Sequence, residues 1–364
     1  MQLQQIISEL ELLAPPSYQE SYDNAGLIVG ETNKNISSAL ICFDVTEEVL
    51  EEAKAKGVNL IISHHPIIFK GLKKLNGKNY VERIVIDALK SDIALYAMHT
   101  NLDNVILGTN RILSEKLGLK NVKVLDPLKG RFRKLITYCP KDYAEKVRSA
   151  IFEAGAGHIG KYDQCSFNTE GQGSFRAGED ANPFVGKINQ IHFEEEVRIE
   201  TIFPEYLERS IISALKKAHP YEEVAFDIYK LENESVNLGA GIIGDMETPE
   251  DELIFLKKLK NITQAEGVRY TKLRNRNVKK VALCGGSGAF LIHKAKAARA
   301  DVYITGDVKY HEFFDADGQI VIADIGHYES EQFTKELLIS YIKEKFPTFA
   351  VQISEANTNP INYL

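Results

Sequence analysis

The sequence predicts an α/β protein: a two-part α/β core with mostly parallel sheets, interrupted by a ferredoxin-like α+β insert of βαββαβ order. Three observations predict it. Short apolar, β-rich runs each end in a cluster of polar residues, helical patterns alternate with those runs, and the middle of the chain changes to a different strand–helix order. At 364 residues the chain exceeds one ordinary core, so two domains are expected. The core is placed at 1–125 and 235–364, and the insert at 126–234.

From the amino terminus, MQLQQIISELELLAPP reads as an amphipathic helix and as neither a signal nor a transit peptide. A helical pattern over 46–56 precedes the run 58–63 (VNLIIS), which leads into His64-His65-Pro66. A second helix over 79–90 precedes 93–98 (IALYAM), which leads into His99-Thr100-Asn101-Leu102-Asp103, and a third helix covers 109–117. Continuous apolar runs of this length read as buried strands of a parallel sheet. The middle reads as a strand (134–139), a helix (142–153), a strand near 163–168, a Gly-rich loop, a strand (190–203), a helix (205–218) and a strand (224–229). That order is the split βαβ pattern. The α/β pattern resumes with strands at 278–284, 301–304 and 319–325 (QIVIADI), the last leading into Gly326-His327.

The net charge of −7 argues against a surface built for a phosphate backbone, so a nucleic-acid partner is not expected. Lys70, Lys73, Lys74 and Lys78 form either a local basic stripe or a solvated loop. No stretch approaches the roughly 20 apolar residues that span a bilayer. Cys42, Cys139, Cys165 and Cys284 form no C-x-x-C pair, which suits reduced thiols and a cytoplasmic protein.

Ligands of open α/β sheets bind at the carboxyl ends of the strands, where all three polar clusters fall. Neighbours on a regular strand point to opposite faces, but at a strand end followed by Pro66 the imidazoles of His64 and His65 can diverge toward two neighbouring ions. They can equally be a hydrogen-bonded strand-end pair. Asp103 can bridge two cations, because each carboxylate oxygen can hold one, or it can cap a helix. His327 and Glu331 are spaced i, i+4 on one helical face, which suits either a shared metal grip or a surface pair. Three neutral imidazoles and two carboxylates around two divalent ions would leave a charge of about +2, attractive to phosphate. The mixed nitrogen and oxygen donors suit zinc, manganese or ferrous iron.

Other candidates are His99, behind the ligands or a satisfied core histidine, and Thr305-Gly306-Asp307 with His311, as pocket lining or a turn and cap. The Cys284-Gly285-Gly286-Ser287-Gly288 loop could cradle an anion with backbone N–H groups, although it lacks the Walker lysine. Glu222 and Glu223, after His219-Pro220-Tyr221, read as the start of a strand.

Six motifs then occur in a recognisable order: Asp23-Asn24-x-Gly26-Leu27, Ser63-His64-His65-Pro66, His99 to Asp103, Gly285-Gly286-Ser287-Gly288, Thr305-Gly306-Asp307 and Gly326-His327-Tyr328-Glu329-Ser330-Glu331. With them the chain resembles, over nearly its whole length, the NIF-three-like dinuclear-metal family, labelled GTP cyclohydrolase 1 type 2 homologues. Ala154-Gly155-Ala156-Gly157-His158, Cys165-Ser166-Phe167 and Ala218 to Glu223 resemble the PII/CutA-like inserted domain of its longer bacterial members. The resemblance implies His64, His65, Asp103, His327 and Glu331 as ligands of two divalent ions per subunit, zinc first, with Asp103 and Glu331 able to touch both. It also implies a toroidal homohexamer, a trimer of dimers. The expected activity is hydrolysis of a nucleotide-like or phosphorylated small molecule through a metal-bridged hydroxide, with His99 or His311 moving protons. The alternative is a regulatory or metal-handling cage whose insert senses a small ligand.

Overall fold

Apolar runs fold here into sheets covered on both faces. A computed structural model describes residues 1–364, which form two compact units: Met1–Pro127 with Val236–Leu364, and Leu128–Ser235. The larger unit contains two sheets. One has the strand order Gly26–Val29, Ala94–Ala97, Leu60–Ser63, Ser38–Cys42, Ala350–Ile353, and only the Gly26–Val29 edge is antiparallel. The other runs Arg269–Tyr270, Val321–Asp324, Val302–Thr305, Asn277–Leu283, Glu234–Asp251, Lys120–Lys129. Its three central strands are parallel, and Arg269–Tyr270 and Glu234–Asp251 run antiparallel to their neighbours in that trio. Successive parallel strands are linked by helical crossovers, as parallel pairing requires, and Ala350–Ile353 joins the parallel set from the far end of the chain.

The strands read as unbroken apolar runs because both faces are covered. In the first sheet, Leu60, Ile62, Ala94 and Tyr96 pack under helices Leu3–Leu13 and Thr334–Lys345. Ile61 and Leu95, pointing the other way, meet Val49, Leu50, Ile84, Val85 and Ala88 of helices Glu47–Ala55 and Tyr80–Lys90. The second sheet repeats this: Val281, Leu283, Val302 and Ile304 meet Phe255, Leu256 and Leu259 of Glu252–Thr263, while Ala282, Tyr303 and Ile322 meet Leu291, Ile292 and Ala295. No helix is long and apolar enough to cross a membrane.

Register places the chemistry. Cys42 pairs with Ser63 and Ser63 with Ala97, so Asp44, His64-His65 and His99 leave one sheet along a single edge. Leu283 pairs with Ile304 and Thr305 with Asp324, so the 284–288 loop, Asp307 and His327 leave the second sheet likewise.

The smaller unit follows the element order βαββαβ. Its antiparallel sheet has the order Phe226–Leu231, Phe132–Pro140, Ile191–Pro204, Phe167–Arg176, with Ala144–Glu153 and Glu208–Ala218 packed on one face through Val147, Ile151, Ile211 and Leu215. Two expectations are corrected. The first residues of the expected Gly-rich loop, up to Arg176, belong to the long strand Phe167–Arg176, where the Glu196 carboxylate of the adjacent strand lies over Gly173, and the loop itself occupies 177–190. Glu222 and Glu223 lie in a turn, and the last strand of the unit begins at Phe226.

His219 anchors that turn: its Nε2–H donates to the Tyr138 carbonyl at 2.8 Å, and its Nδ1 accepts from Tyr221 N at 3.1 Å. Burial pushes its pKa below 6.5, against the opposing pull of the Tyr138 carbonyl. An unfolded chain then binds a proton that the folded ring resists, so stability is full above pH 6.5 and falls as the pH drops from there through the folded value. The melting temperature is expected to decline between pH 7 and 5 with a slope that flattens in His219→Gln. Equal slopes in scanning calorimetry would refute the role.

Candidate metal centre

Every strand-end histidine here has one ring nitrogen tied down and the other turned inward. His64 Nδ1 donates to the Met98 carbonyl at 2.8 Å, His65 Nδ1 to Asp44 Oδ1 at 2.7 Å, and His327 Nδ1 to Asp307 Oδ2 at 2.7 Å. An imidazole held in this way presents its Nε2 lone pair to a cation, and such outer partners set ring orientation and basicity. Asp44 is held by Thr358 Oγ1 at 3.0 Å, and Asp307 by Ser287 Oγ at 2.6 Å.

The three inward nitrogens surround one carboxylate oxygen. Glu331 Oε2 lies 3.1 Å from His327 Nε2, 3.5 Å from His64 Nε2 and 3.6 Å from His65 Nε2. Asp103 Oδ1 lies 3.7 Å from His64 Nε2. Donor atoms of His65, His327 and Glu331 fall within 4.8 Å of one another, as do those of His64, Asp103 and Glu331. Donor atoms of His64, His65 and His99 form a third such group, so Glu331, His64 and His65 each belong to two groups and Asp103 to one.

Three of these atoms, His64 Nε2, Asp103 Oδ1 and Glu331 Oε2, are buried without a hydrogen-bond partner. A buried polar atom left unpaired costs about 1–3 kcal/mol, more when charged, so three facing one another call for a shared ligand. A divalent cation satisfies all three, and the residues fit one. Neither local alternative survives for the carboxylates. Asp103 ends the short helix Thr100–Asp103 and caps nothing, since Gly108 precedes helix Thr109–Lys116. Glu331 is 3% exposed, so it is no surface partner of His327.

Electrostatics agree. Burial alone would raise Glu331, but the imidazoles of His327, His64 and His65 hold its carboxyl well below the ordinary range. Burial would lower His65 and His327, yet Asp44 and Glu331 hold the first up at about 9, and Glu331 and Asp307 hold the second up at about 10. Burial raises Asp103, opposed by His64 and reinforced by the charge of Glu331. The cation-seeking field that retains those protons is the field into which a dication would fit, displacing them.

The Gly-rich 285–288 loop serves the carboxylate rather than an anion. Gly285 N donates to Asn110 Oδ1, Gly286 N to Ser330 Oγ and Gly288 N to Thr305 Oγ1, so these N–H groups are already used. A Cβ on Gly285 would come within 2.6 Å of Glu331 Cγ, and one on Gly286 within 2.6 Å of Glu331 Oε1. Cys284 also lines the cavity, and burial keeps its thiol protonated, outside the donor set.

His99 stands beside the ligands, its ring edge-on to His64 and His65 at 5.3 and 5.1 Å, with Nδ1 bound to Asp23 Oδ1 at 2.7 Å. His311 is placed apart from this group. It is exposed on the 310–316 turn, packed against Tyr310 and Phe314, and does not line the cavity, because that turn covers the outer face of the second sheet. Asp44 was missed by sequence reasoning, although its place just after the strand Ser38–Cys42 was a usable signal. The centre opens into a cavity of about 1160 Å³ whose wall includes Tyr22, Phe69, Lys70, Tyr80 and Phe290.

Comparison with known proteins accords with this geometry. The Duf34/NIF3 (NGG1p interacting factor 3) family model matches residues 1–360. The chain is 42% identical to the GTP cyclohydrolase 1 type 2 homolog of Bacillus subtilis (strain 168), over 99% of this chain and 98% of that protein. A similarly named protein of Halalkalibacterium halodurans is 38% identical over 99% and 98%. Among solved structures, a Bacillus cereus protein related to NIF3 superposes with a TM-score of 0.86 at 38% identity, covering 100% of this chain and 99% of that one. A Staphylococcus aureus protein superposes with a TM-score of 0.79 at 31% identity, covering 100% and 99%. The chain belongs to the Duf34/NIF3 family.

Proposed function

We propose that this protein is a metal-dependent hydrolase holding two divalent ions, zinc first, with manganese or iron as alternatives, and acting in the cytoplasm on a nucleotide-like or phosphorylated small molecule. The observation that carries the proposal is Glu331 Oε2, one buried carboxylate oxygen common to two groups of metal donors. His65, His327 and Glu331 would hold one ion, and His64, Asp103 and Glu331 the other. When bound, two such cations polarise a phosphoryl or carbonyl oxygen and make water acidic near neutrality.

The chain's own residues supply the rest. Asp44, Asp307 and the Met98 carbonyl fix the imidazoles before any substrate arrives. With Nδ1 committed to Asp23, His99 has Nε2 left to exchange a proton with a reacting group. Lys70 places a positive charge on the cavity wall, and Phe69 and Phe290 offer faces for a flat ring. The name carried by the relatives, GTP cyclohydrolase 1 type 2 homolog, supports a nucleotide-like substrate.

Metal-loaded protein should turn over at least one member of a panel of nucleotides and phosphorylated metabolites, and Asp103→Ala and His327→Ala should fall to background with circular dichroism unchanged. Turnover by either variant equal to the parent's would overturn the proposal.

A further inference from the structure

The chain's last residues return to the metal centre from a strand at the far edge of the first sheet. After Ala350–Ile353 the chain has no regular structure, yet it is firmly tied: Ser354 N donates to the Ile41 carbonyl at 2.8 Å and Ser354 Oγ to Glu52 Oε2 at 2.5 Å. Thr358, 9% exposed, then donates its hydroxyl to Asp44 Oδ2 at 3.0 Å, and the other oxygen of Asp44 holds His65 Nδ1. The next residue reaches a different element. Asn359 Nδ2 donates to Glu329 Oε1 at 3.0 Å, while Asn359 Oδ1 accepts from Ile361 N at 3.1 Å, which closes a tight turn. Glu329 is buried, and its second carboxylate oxygen lies over Gly326, the residue that opens helix His327–Glu331 with a φ of 95°.

Two consecutive side chains therefore brace two ligand-bearing segments that are 262 residues apart in sequence, His65 and His327. Those two histidines, with Glu331, make up one donor group. The other group takes its orientation elsewhere: His64 leans on the Met98 carbonyl, and the backbone of Asp103 on Asn110.

Resting on the two-ion reading above, we propose that the 354–360 segment is a strap of two positioning residues: Thr358 acts through Asp44 on the ion at His65, His327 and Glu331, and Asn359 acts through Glu329 on the helix that carries both His327 and the shared Glu331. Thr358→Val keeps the shape and removes the hydroxyl, leaving Asp44 free to rotate away from His65. Asn359→Leu removes the donor to Glu329.

The test is cobalt(II) titration of the full chain, read by visible absorption and by competition with a chromophoric chelator, with metal content checked by mass spectrometry. Thr358→Val should weaken one of two cobalt sites by about tenfold, the lower end of the effect of outer-shell partners, and Asn359→Leu should weaken both, since Glu331 is common to them. In Thr358→Val the second site should be unchanged, and Thr358→Ser should reproduce the parent curve. Two unaltered sites in both variants, or equal weakening of both sites by Thr358→Val, would overturn the strap while leaving the two-ion reading standing. A parent protein that binds no cobalt would overturn both.

Discussion

Glu331→Gln is expected to empty the metal centre, while Asp103→Asn is expected to empty half of it. The asymmetry follows from the geometry: Glu331 belongs to both carboxylate-bearing donor groups and Asp103 to one. Glutamine keeps the volume but removes the charge that a dication at either position would neutralise. Affinity should fall beyond the 10–100-fold, roughly, seen when outer partners of a ligand are lost. At a buffered free zinc concentration that loads the parent with two ions, Glu331→Gln should retain close to none and Asp103→Asn close to one. Elemental analysis after gel filtration reads this directly. Two ions retained by Glu331→Gln would dismiss the shared carboxylate, and equal losses in both variants would dismiss the division into two groups.

A comparably large effect, on stability rather than metal, is expected from Arg274→Ala. The Arg274 side chain is 9% exposed and that of Glu252 1%, with Arg274 Nε 3.1 Å from Glu252 Oε1. Glu252 also accepts from the backbone N–H groups of Arg274 and Asn275, and Arg274 reaches Asp301 Oδ1 and the Gln319 carbonyl. This network ties the first turn of helix Glu252–Thr263 to the entry points of two central strands of the second sheet. Removing the guanidinium leaves a buried carboxylate without its counter-charge, a change that costs about 3–5 kcal/mol. Arg83, paired with Glu47 where both side chains are about half exposed, is the control, and its loss should cost no more than about 1 kcal/mol. Urea unfolding should show the midpoint drop for Arg274→Ala with little change in slope. Indistinguishable midpoints for the two variants would reject the buried network.

What a linear reading captured has a common physical basis. A strand covered on both faces must be apolar at every position, so Leu60–Ser63 and Ala94–Ala97 announce themselves within a few residues. The i, i+4 relation of His327 and Glu331 is likewise local, because one helical turn carries it. Where side chains answer to residues distant in sequence, reading the chain locally failed. Gly171 and Gly173 looked like loop, yet they lie in a strand because a neighbouring strand pairs with them and lays Glu196 across the second. Glycines 285 and 286 looked like an anion cradle, yet they make room for Glu331.

From the sequence alone came the strand-end positions of the histidines, the nitrogen and oxygen donor chemistry, and the change of architecture in the middle of the chain, all properties of short segments. Only the tertiary structure decided that Glu331 lies in two donor groups, and that Asp44, Asp307 and Asp23 orient His65, His327 and His99. Asp23 and His99 are 76 residues apart, and Asp44 is itself held by Thr358, 314 residues away. The reason is that a hydrogen bond records where two segments meet after folding, and nothing in the periodicity of either segment specifies the other.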